Sequence, residues 1–261
     1  MALEPLRHGL VSLLVLLLLL VHAASAARAR DLHLEMVTTS AATARAVPSC
    51  ASWRLGVETN NIRDWYSIPA ECRGYVRDYM YGDLFRQDCA VVAREAAAYA
   101  EGLELGGDGK EVWVFDVDDT TLSNLPYYAD TGFGAEPYNA TYFDEYVANA
   151  TAPPLPEVLQ LYETLLSLGI KVVFITGRHD YEKEPTIKNL RSAGYHTWDK
   201  LVLKPSSLGS SVVPYKSGER QKLVDAGYRI VGNMGDQWSD LIGAPEGDRT
   251  FKVPDPMYYV G

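Results

Sequence analysis

The chain has 261 residues, of which 47% are hydrophobic and 22% are charged, so it can bury a sizeable core and is not a disordered protein. Its formal net charge of −10 makes nucleic acid and anionic lipid unsuitable partners. The same charge repels a phosphorylated substrate at long range, and a phosphate site in this chain therefore needs a local cation.

The N-terminus predicts a signal peptide over residues 1–26. Arg7 precedes an unbroken apolar run over residues 13–21, and Ala24, Ser25 and Ala26 then offer small residues to a peptidase. The run is shorter than the roughly 20 residues of a membrane-spanning helix, and an uncleaved signal anchor is the alternative. We expect residues 27–261 to form a mature domain that enters the secretory pathway, is not bound to membrane, and ends outside the cell or in a vacuole.

Three cysteines and two glycosylation sequons agree with an oxidising compartment. Cys50 and Cys72 flank a Trp-containing segment that is predicted to be irregular, and a disulfide there would staple it. Cys89 lies in a helical pattern and is expected to remain a buried free thiol. Spacing alone does not define the pairing, but Cys50 with Cys72 is the expected one. The sequons at Asn139 and Asn149 predict glycans on an exposed surface.

Helices and strands alternate after a mixed N-terminal region. Helices are predicted near residues 71–81 and over residues 83–103, and the sequence GGDG at 106–109 then turns the chain. The elements that follow are strand 112–115, helix 156–168, strand 171–175, helix 184–193, strand 200–203, helix 216–226, strand 228–231 and strand 250–253. Apolar strands between helices that end at glycine predict an α/β fold, in which helices cover both faces of a Rossmann-like parallel sheet.

Polar residues follow three of these strands, where the ligand crevice of a parallel sheet lies. They are Asp116, Asp118, Asp119 and Thr120 after the first strand, Thr176, Gly177 and Arg178 after the second, and Gly235, Asp236 and Asp240 after the fourth. Asp116 and Asp118 are two residues apart, and extended backbone directs both side chains to the same side. Taken singly, the motif at residues 116–120 is more simply interpreted as a solvated turn. The motif at residues 235–240, taken singly, is more simply interpreted as a turn followed by a helix N-cap.

Together, the carboxylates of these strand ends form an oxygen-rich pocket. Mg²⁺ prefers such a pocket and also takes phosphate oxygens of a substrate. A bound cation offsets the repulsion among Asp116, Asp118 and Asp236, and the sequence therefore predicts a Mg²⁺ site at this edge of the sheet.

The segments FDVDDTTLSN, VVFITGR and GNMGDQWSD, together with Lys216, resemble the four motifs of the haloacid dehalogenase superfamily of phosphotransferases. CASWRLGVETNNIRDWYSIPAEC, LPYYADTGFG, SLGIKVVFITGR and VPDPMYYV further resemble the plant acid phosphatase and vegetative storage protein family, over roughly residues 48–261. The resemblance implies a Mg²⁺-dependent acid phosphatase acting on a small phosphorylated substrate. The alternative is a storage glycoprotein with little or no catalysis, and dehalogenase chemistry is disfavoured because it needs neither the second aspartate nor the metal.

The resemblance also implies a role for each catalytic residue. Asp116 matches the nucleophile that forms an aspartyl-phosphate, and Asp118 matches the general acid–base. Lys216 matches the cation that stabilises Asp116 and the transferring phosphoryl group, with Lys204 as the alternative. Thr176 matches the phosphoryl-binding hydroxyl of the second motif, which continues into Gly177 and Arg178. Arg178 is expected either to contact the substrate phosphate or to have a capping or surface role.

The metal set implied by the resemblance comprises Asp116, Asp118, Asp236 and Asp240. Asp236 matches a direct ligand, Asp240 an outer or water-mediated one, and Asp118 contributes its backbone carbonyl. Asp119 is expected to be a solvated charge near the metal.

An insertion over about residues 125–155 matches the cap that covers the site in this superfamily. It contains Tyr127, Tyr128, Phe133, Tyr138, Tyr142, Phe143 and Tyr146. These rings form either a substrate wall or the packing of a small subdomain. The sequence allows a homodimer without defining the oligomeric state, and it does not specify the natural phosphoester.

Overall fold

The structure is a computed structural model that describes residues 49–209 and 211–261. The helices are α1 (Cys50–Glu58), α2 (Arg73–Tyr81), α3 (Asp83–Glu101), α4 (Leu125–Asp130), α5 (Ala140–Asn149), α6 (Pro156–Ser167), α7 (Lys183–Ser192), α8 (Val212–Asp225) and α9 (Trp238–Leu241). The strands are β1 (Glu111–Phe115), β2 (Lys171–His179), β3 (Lys200–Lys204), β4 (Arg229–Gly235) and β5 (Thr250–Lys252). Short 3₁₀ turns occupy Ala70–Cys72, Gly132–Gly134 and Asp180–Glu182.

The strands form one parallel sheet in the order β3-β2-β1-β4-β5, which confirms the predicted fold class. Trp113 and Phe115 belong to the larger core, on the face where α3, α6 and α7 pack. Val112 and Val114 belong to the core on the opposite face, where Tyr215 of α8 covers them. Alternation along a strand directs successive side chains to opposite faces, and an all-apolar strand therefore needs helices on both.

Glycines end α6, α7 and α8 as the sequence predicts. Gly169, Gly194 and Gly227 have φ of 83°, 106° and 82°, in the left-handed region where glycine carries no steric penalty. These turns return the chain to the amino edge of the sheet before each next strand.

β2 and β4 each continue beyond the predicted boundary, from 175 to His179 and from 231 to Gly235. Their last residues include Thr176, Arg178 and Asn233, which are polar and therefore interrupt the apolar pattern, yet all three are buried. Polar residues buried at strand ends are the expected sign of a site rather than of a loop.

The segment between the disulfide-bonded cysteines contains helix α1, and the prediction that it is irregular is therefore wrong for residues 50–58. The Ser49 hydroxyl caps the helix by accepting from the Ser52 amide at 3.2 Å, and Trp53 and Val57, one turn apart, are both buried. A short helix of this kind depends on tertiary packing that periodicity does not reveal. The disulfide joins Cys50 to Cys72, and Cys89 is a buried free thiol, both as expected.

Residues 125–149 fold as α4, a 3₁₀ turn and α5 between β1 and α6. The aromatic side chains of this segment fall into three groups: Tyr127, Tyr128 and Phe133 are buried, Phe143 and Tyr146 are half-buried, and Tyr138 and Tyr142 are exposed. The buried group supports internal packing, and the exposed group leaves rings available on the surface. Asn139 and Asn149 are exposed at the two ends of α5.

The proposed signal peptide, residues 1–26, lies outside the described residues. Within residues 49–209 and 211–261, no helix has the length and apolar character needed to cross a bilayer.

Candidate active site

The polar strand ends meet at the carboxyl edge of the sheet. Asp116 directly follows β1, Thr176 lies in β2, and Asp236 directly follows β4. The chain passes from β1 to β2 and β3 on one side, and then crosses to β4 and β5 on the other. The crevice beside β1 is therefore at the topological switch point, where open α/β sheets bind ligands.

Lys216 links two carboxylates in this crevice. Its ammonium group contacts Asp116 Oδ1 and lies 2.5 Å from Asp240 Oδ1, and all three side chains are buried. Burial alone would lower the pKa of Lys216, but the carboxylates of Asp116 and Asp240 raise it above its ordinary value. Lys216 is thus a buried cation between two carboxylates, and it lies in α8, which begins at Val212 rather than at the predicted residue 216.

Burial raises the pKa of Asp116 to about 7, and Lys216 opposes this effect by stabilising the charged form. Oδ1 of Asp116 accepts from Lys216, whereas Oδ2 has no hydrogen-bond partner among the described residues. One oxygen is thus oriented by the cation, and the other is available to react with an electrophile or to bind a metal.

Asp118 has different partners from Asp116. Arg178 donates to it through Nε at 3.1 Å and through Nη2 at 2.8 Å, and Asn124 Nδ2 donates at 2.9 Å. Burial would raise the pKa of Asp118, but the Arg178 charge and these hydrogen bonds lower it below its usual value. The carboxylate of Asp118 is not part of the cluster formed by Asp116, Asp236 and Asp240.

Arg178 has neither the capping role nor the surface role that the sequence allowed. Its side chain is 1% exposed, and its Nη1 donates to Thr186 Oγ1 at 3.2 Å, whereas Nε and Nη2 donate to Asp118. Each guanidinium nitrogen donates at least once, so Arg178 positions the Asp118 carboxylate, and the second N–H groups of Nη1 and Nη2 remain for a further acceptor.

Asp236 is held by three donors. Thr120 Oγ1 donates to Oδ1 at 3.0 Å, and Gln237 Nε2 and the Tyr258 hydroxyl both donate to Oδ2 at 2.8 Å. Gly235 allows Asp240 to approach, because a Cβ at this position would lie 2.3 Å from the Asp240 side chain. Asp240 Oδ2 in turn accepts a hydrogen bond from the backbone N–H of Gln237 at 2.9 Å.

Asp116, Asp236 and Asp240 offer carboxylate oxygens that lie within 4.8 Å of one another, and all three residues are buried. One ammonium group, that of Lys216, compensates three carboxylates, and this leaves two negative charges when all are ionised. Burial, followed by repulsion from Asp240, raises the pKa of Asp236 well above its ordinary value. The excess of two negative charges and the all-oxygen donors fit a divalent hard cation, which would relieve the repulsion among the carboxylates.

Asp119 is not the solvated charge that the sequence predicted. It is 3% exposed, has a left-handed φ of 51°, and accepts from the Asn124 amide at 2.8 Å. Burial, followed by repulsion from Asp236, raises its pKa well above the usual value. Aspartate tolerates this backbone conformation, so Asp119 serves the turn that returns the chain after β1.

Thr176 is fully buried, and its Oγ1 accepts from the Arg178 amide at 3.1 Å. This bond leaves its hydroxyl hydrogen available for another acceptor. A Cβ placed at Gly177 would meet nothing within 4 Å, so the space beside this backbone is open. Lys204 is buried at the end of β3 rather than at the surface, but it is Lys216 that reaches Asp116.

Two further residues, Arg220 and Tyr258, support the site and were not predicted from the sequence. Arg220, one turn beyond Lys216 in α8, donates to the carbonyls of Asp240 at 2.7 Å, Gly243 at 2.6 Å and Pro245 at 2.6 Å. Its position four residues after Lys216 on the same helix face was the available signal. For Tyr258, the signal was its place in the VPDPMYYV segment.

The chain matches a family model described as HAD superfamily, subfamily IIIB (Acid phosphatase), over residues 35–261. It is 48% identical to Acid phosphatase 1 of Solanum lycopersicum, over 81% of this chain and 83% of that protein. It is 46% identical to Vegetative storage protein 1 of Arabidopsis thaliana, over 82% of this chain and 79% of that one.

The fold is similar to that of the class C acid phosphatase from Bacillus anthracis. The TM-score is 0.61 at 22% identity, over 73% of this chain and 86% of that chain. The chain belongs to the acid phosphatase family of HAD subfamily IIIB.

Proposed function

We propose that this chain hydrolyses small phosphate monoesters in a Mg²⁺-dependent reaction with Asp116 as the nucleophile. The observation that carries the proposal is the buried group of Asp116, Lys216 and Asp240 at the switch point, in which one oxygen of Asp116 is oriented and the other is free. Splitting hydrolysis into two transfers eases each step, and a carboxylate can carry the phosphoryl group between them.

In the first transfer, Asp116 Oδ2 attacks phosphorus and the bond to the leaving oxygen breaks. Asp118 donates a proton to that oxygen, and Arg178 holds the Asp118 carboxyl in place. In the second transfer, Asp118 takes a proton from water, whose oxygen attacks phosphorus and releases Asp116. Lys216 stabilises the charge that develops on the transferring phosphoryl group, and Thr176 donates its hydroxyl to a phosphoryl oxygen.

The remaining lone pairs of Asp116 Oδ1 and Asp236 Oδ1 and the backbone carbonyl of Asp118 would hold Mg²⁺, with Asp240 contributing through water, and this leaves Asp116 Oδ2 free to attack. When bound, the cation supplies Lewis-acid stabilisation of the phosphoryl oxygens and balances the carboxylate charge. Asp116 and Asp236 lie in the buried carboxylate cluster that fits such a cation.

We infer that α4 and α5 form a cap whose exposed Tyr138 and Tyr142 face solvent, and that Asn139 and Asn149 carry glycans. The Cys50–Cys72 disulfide supports passage through an oxidising compartment, after removal of residues 1–26.

A storage role is the second candidate, because two relatives from Arabidopsis thaliana are named vegetative storage proteins. Loss of catalysis would be expected first at the nucleophile, since no other residue can form the covalent intermediate. Asp116, Lys216 and Asp236 are all present and in contact with their partners, and this favours activity.

The experiment is a phosphatase assay of the mature protein on a panel of phosphoesters, with and without Mg²⁺, beside Asp116→Asn. We expect Mg²⁺-dependent turnover that Asp116→Asn abolishes while its circular dichroism and Tm stay close to the parent's. Asp108→Asn, an exposed aspartate at the opposite edge of the sheet, is the matched control and should turn over normally. Turnover without Mg²⁺, or activity retained in Asp116→Asn, would refute the proposal.

A further inference from the structure

The Tyr258 hydroxyl determines which oxygen of Asp236 remains open. Oδ2 of Asp236 accepts two hydrogen bonds, from Gln237 and Tyr258, and both of its lone pairs are therefore used. Oδ1 accepts one, from Thr120, and keeps a lone pair. Asp236 can therefore present only Oδ1 to a cation, as a monodentate ligand.

Tyr258 is itself fixed from the opposite side. Its ring stacks on Tyr128 of α4, with centroids 5.3 Å apart and planes 6° from parallel. Tyr128 is buried, so the pair bridges the insertion segment and the carboxylate cluster. Stacking fixes the ring, so the position of the hydroxyl oxygen beside Asp236 Oδ2 is set before any ligand arrives.

The backbone on both sides of Tyr258 is anchored as well. The Met257 amide donates to Asp255 Oδ1 at 2.8 Å, and the Val260 amide donates to Gln237 Oε1 at 3.1 Å. Gly134 packs so closely on this segment that a Cβ there would lie 1.8 Å from the Met257 carbonyl oxygen. The last residues of the chain are therefore tied both to the insertion segment and to the residue that follows Asp236.

We propose that Tyr258 is a positioning residue for the metal site, which holds Asp236 as a monodentate ligand through Oδ1. The inference rests on the proposed function, because it assumes that Asp236 binds the cation. Hydrogen-bonding partners of metal ligands typically change metal affinity by about 10- to 100-fold when they are removed.

The test is Tyr258→Phe, which removes the hydroxyl and keeps the ring stacked on Tyr128. Mg²⁺ affinity is measured by calorimetry and by the Mg²⁺-induced rise in Tm, neither of which needs turnover. We expect Mg²⁺ binding to weaken about tenfold or more, with the metal-free Tm unchanged. At saturating Mg²⁺, kcat and the KM for the phosphoester should return close to the parent values.

Tyr259→Phe is the matched control. Tyr259 is the next residue, half-buried near Trp65 with ring centroids 6.2 Å apart, and its hydroxyl donates no hydrogen bond within residues 49–209 and 211–261. This variant should bind Mg²⁺ as the parent does.

The outcomes separate this inference from the proposed function. A parent protein that binds no Mg²⁺ and hydrolyses no phosphoester overturns the proposed function, and this inference with it. If the parent binds Mg²⁺ and hydrolyses phosphoesters, and Tyr258→Phe binds Mg²⁺ with the same affinity, then only the role of Tyr258 is overturned. A fall in the metal-free Tm without a change in Mg²⁺ affinity would show that the hydroxyl is merely structural, and would also overturn it.

Discussion

Arg178 gives a physical reason for activity at acid pH. The proposed general acid, Asp118, must carry a proton when the leaving group departs, and the neighbouring guanidinium disfavours the protonated form. Because the pKa of Asp118 lies below its ordinary value, the protonated fraction falls as pH rises through that low pKa. The first transfer is therefore expected to slow at a lower pH than an isolated aspartate would allow.

Arg178→Gln tests this explanation. The amide keeps a donor for Asp118 but removes the charge that lowers the pKa of Asp118, and the pH above which the first transfer slows should therefore rise. The rise should be clear with an alkyl phosphate, whose leaving group needs protonation, and smaller with an aryl phosphate. Arg191→Gln, which removes an exposed charge near Trp198, is the control and should leave the profile in place. An unshifted profile with the alkyl substrate in Arg178→Gln would contradict the explanation.

At the scale of the elements, the 3₁₀ turn that connects β2 to α7 contains a buried carboxylate, that of Glu182, whose ionised form is unfavourable in the folded state. Glu182 Oε2 accepts from the His179 amide at 2.6 Å, whereas Oε1 is buried with no partner among the described residues. Burial raises the pKa of Glu182 from 4.5 to about 6. The folded state thus favours the protonated form, and folding stability should fall as pH rises from about 4.5 to about 6 and remain lower above it.

Glu182→Gln should remove this pH dependence. The amide oxygen can still accept from His179, and no charge has to be buried. The variant should therefore gain up to about 2 kcal/mol over the parent at pH 7.5 and much less at pH 4.5, as measured by urea unfolding. Glu184→Gln, an exposed position in α7, should show no such difference. Equal gains at both pH values would show that Glu182 does not carry the effect.

The elements could be predicted from the sequence where the pattern is local. The apolar run before Asp116 and the glycine after each helix determine local geometry, and those elements lie within a few residues of their predicted bounds. α1 was missed because its amphipathic stripe is short. β2 and β4 were predicted too short because Thr176 and Asn233 are polar, and their burial depends on neighbouring strands rather than on the local sequence.

At the scale of the whole molecule, the sheet order brings distant segments to one crevice. Lys216 and Asp116 are 100 residues apart, yet they meet beside β1 because the chain crosses to β4 only after α8. The motifs were sufficient to predict that Asp116, Lys216 and Asp236 reach this crevice. They could not predict that Arg178 binds Asp118, that Asp119 is buried, or that Tyr258 contacts Asp236, because those pairings depend on side-chain directions in the folded chain.

The central claim is that Asp116 carries the phosphoryl group, and trapping the covalent intermediate tests it most directly. The mature protein is mixed with a rapidly hydrolysed aryl phosphate and Mg²⁺, quenched in acid within the first turnover, digested and mapped by mass spectrometry. We predict one phosphoryl group on the peptide that contains Asp116, and none on that peptide in Asp116→Asn. A phosphoryl group on another residue, or a burst of product with no phosphorylated peptide, would contradict the account.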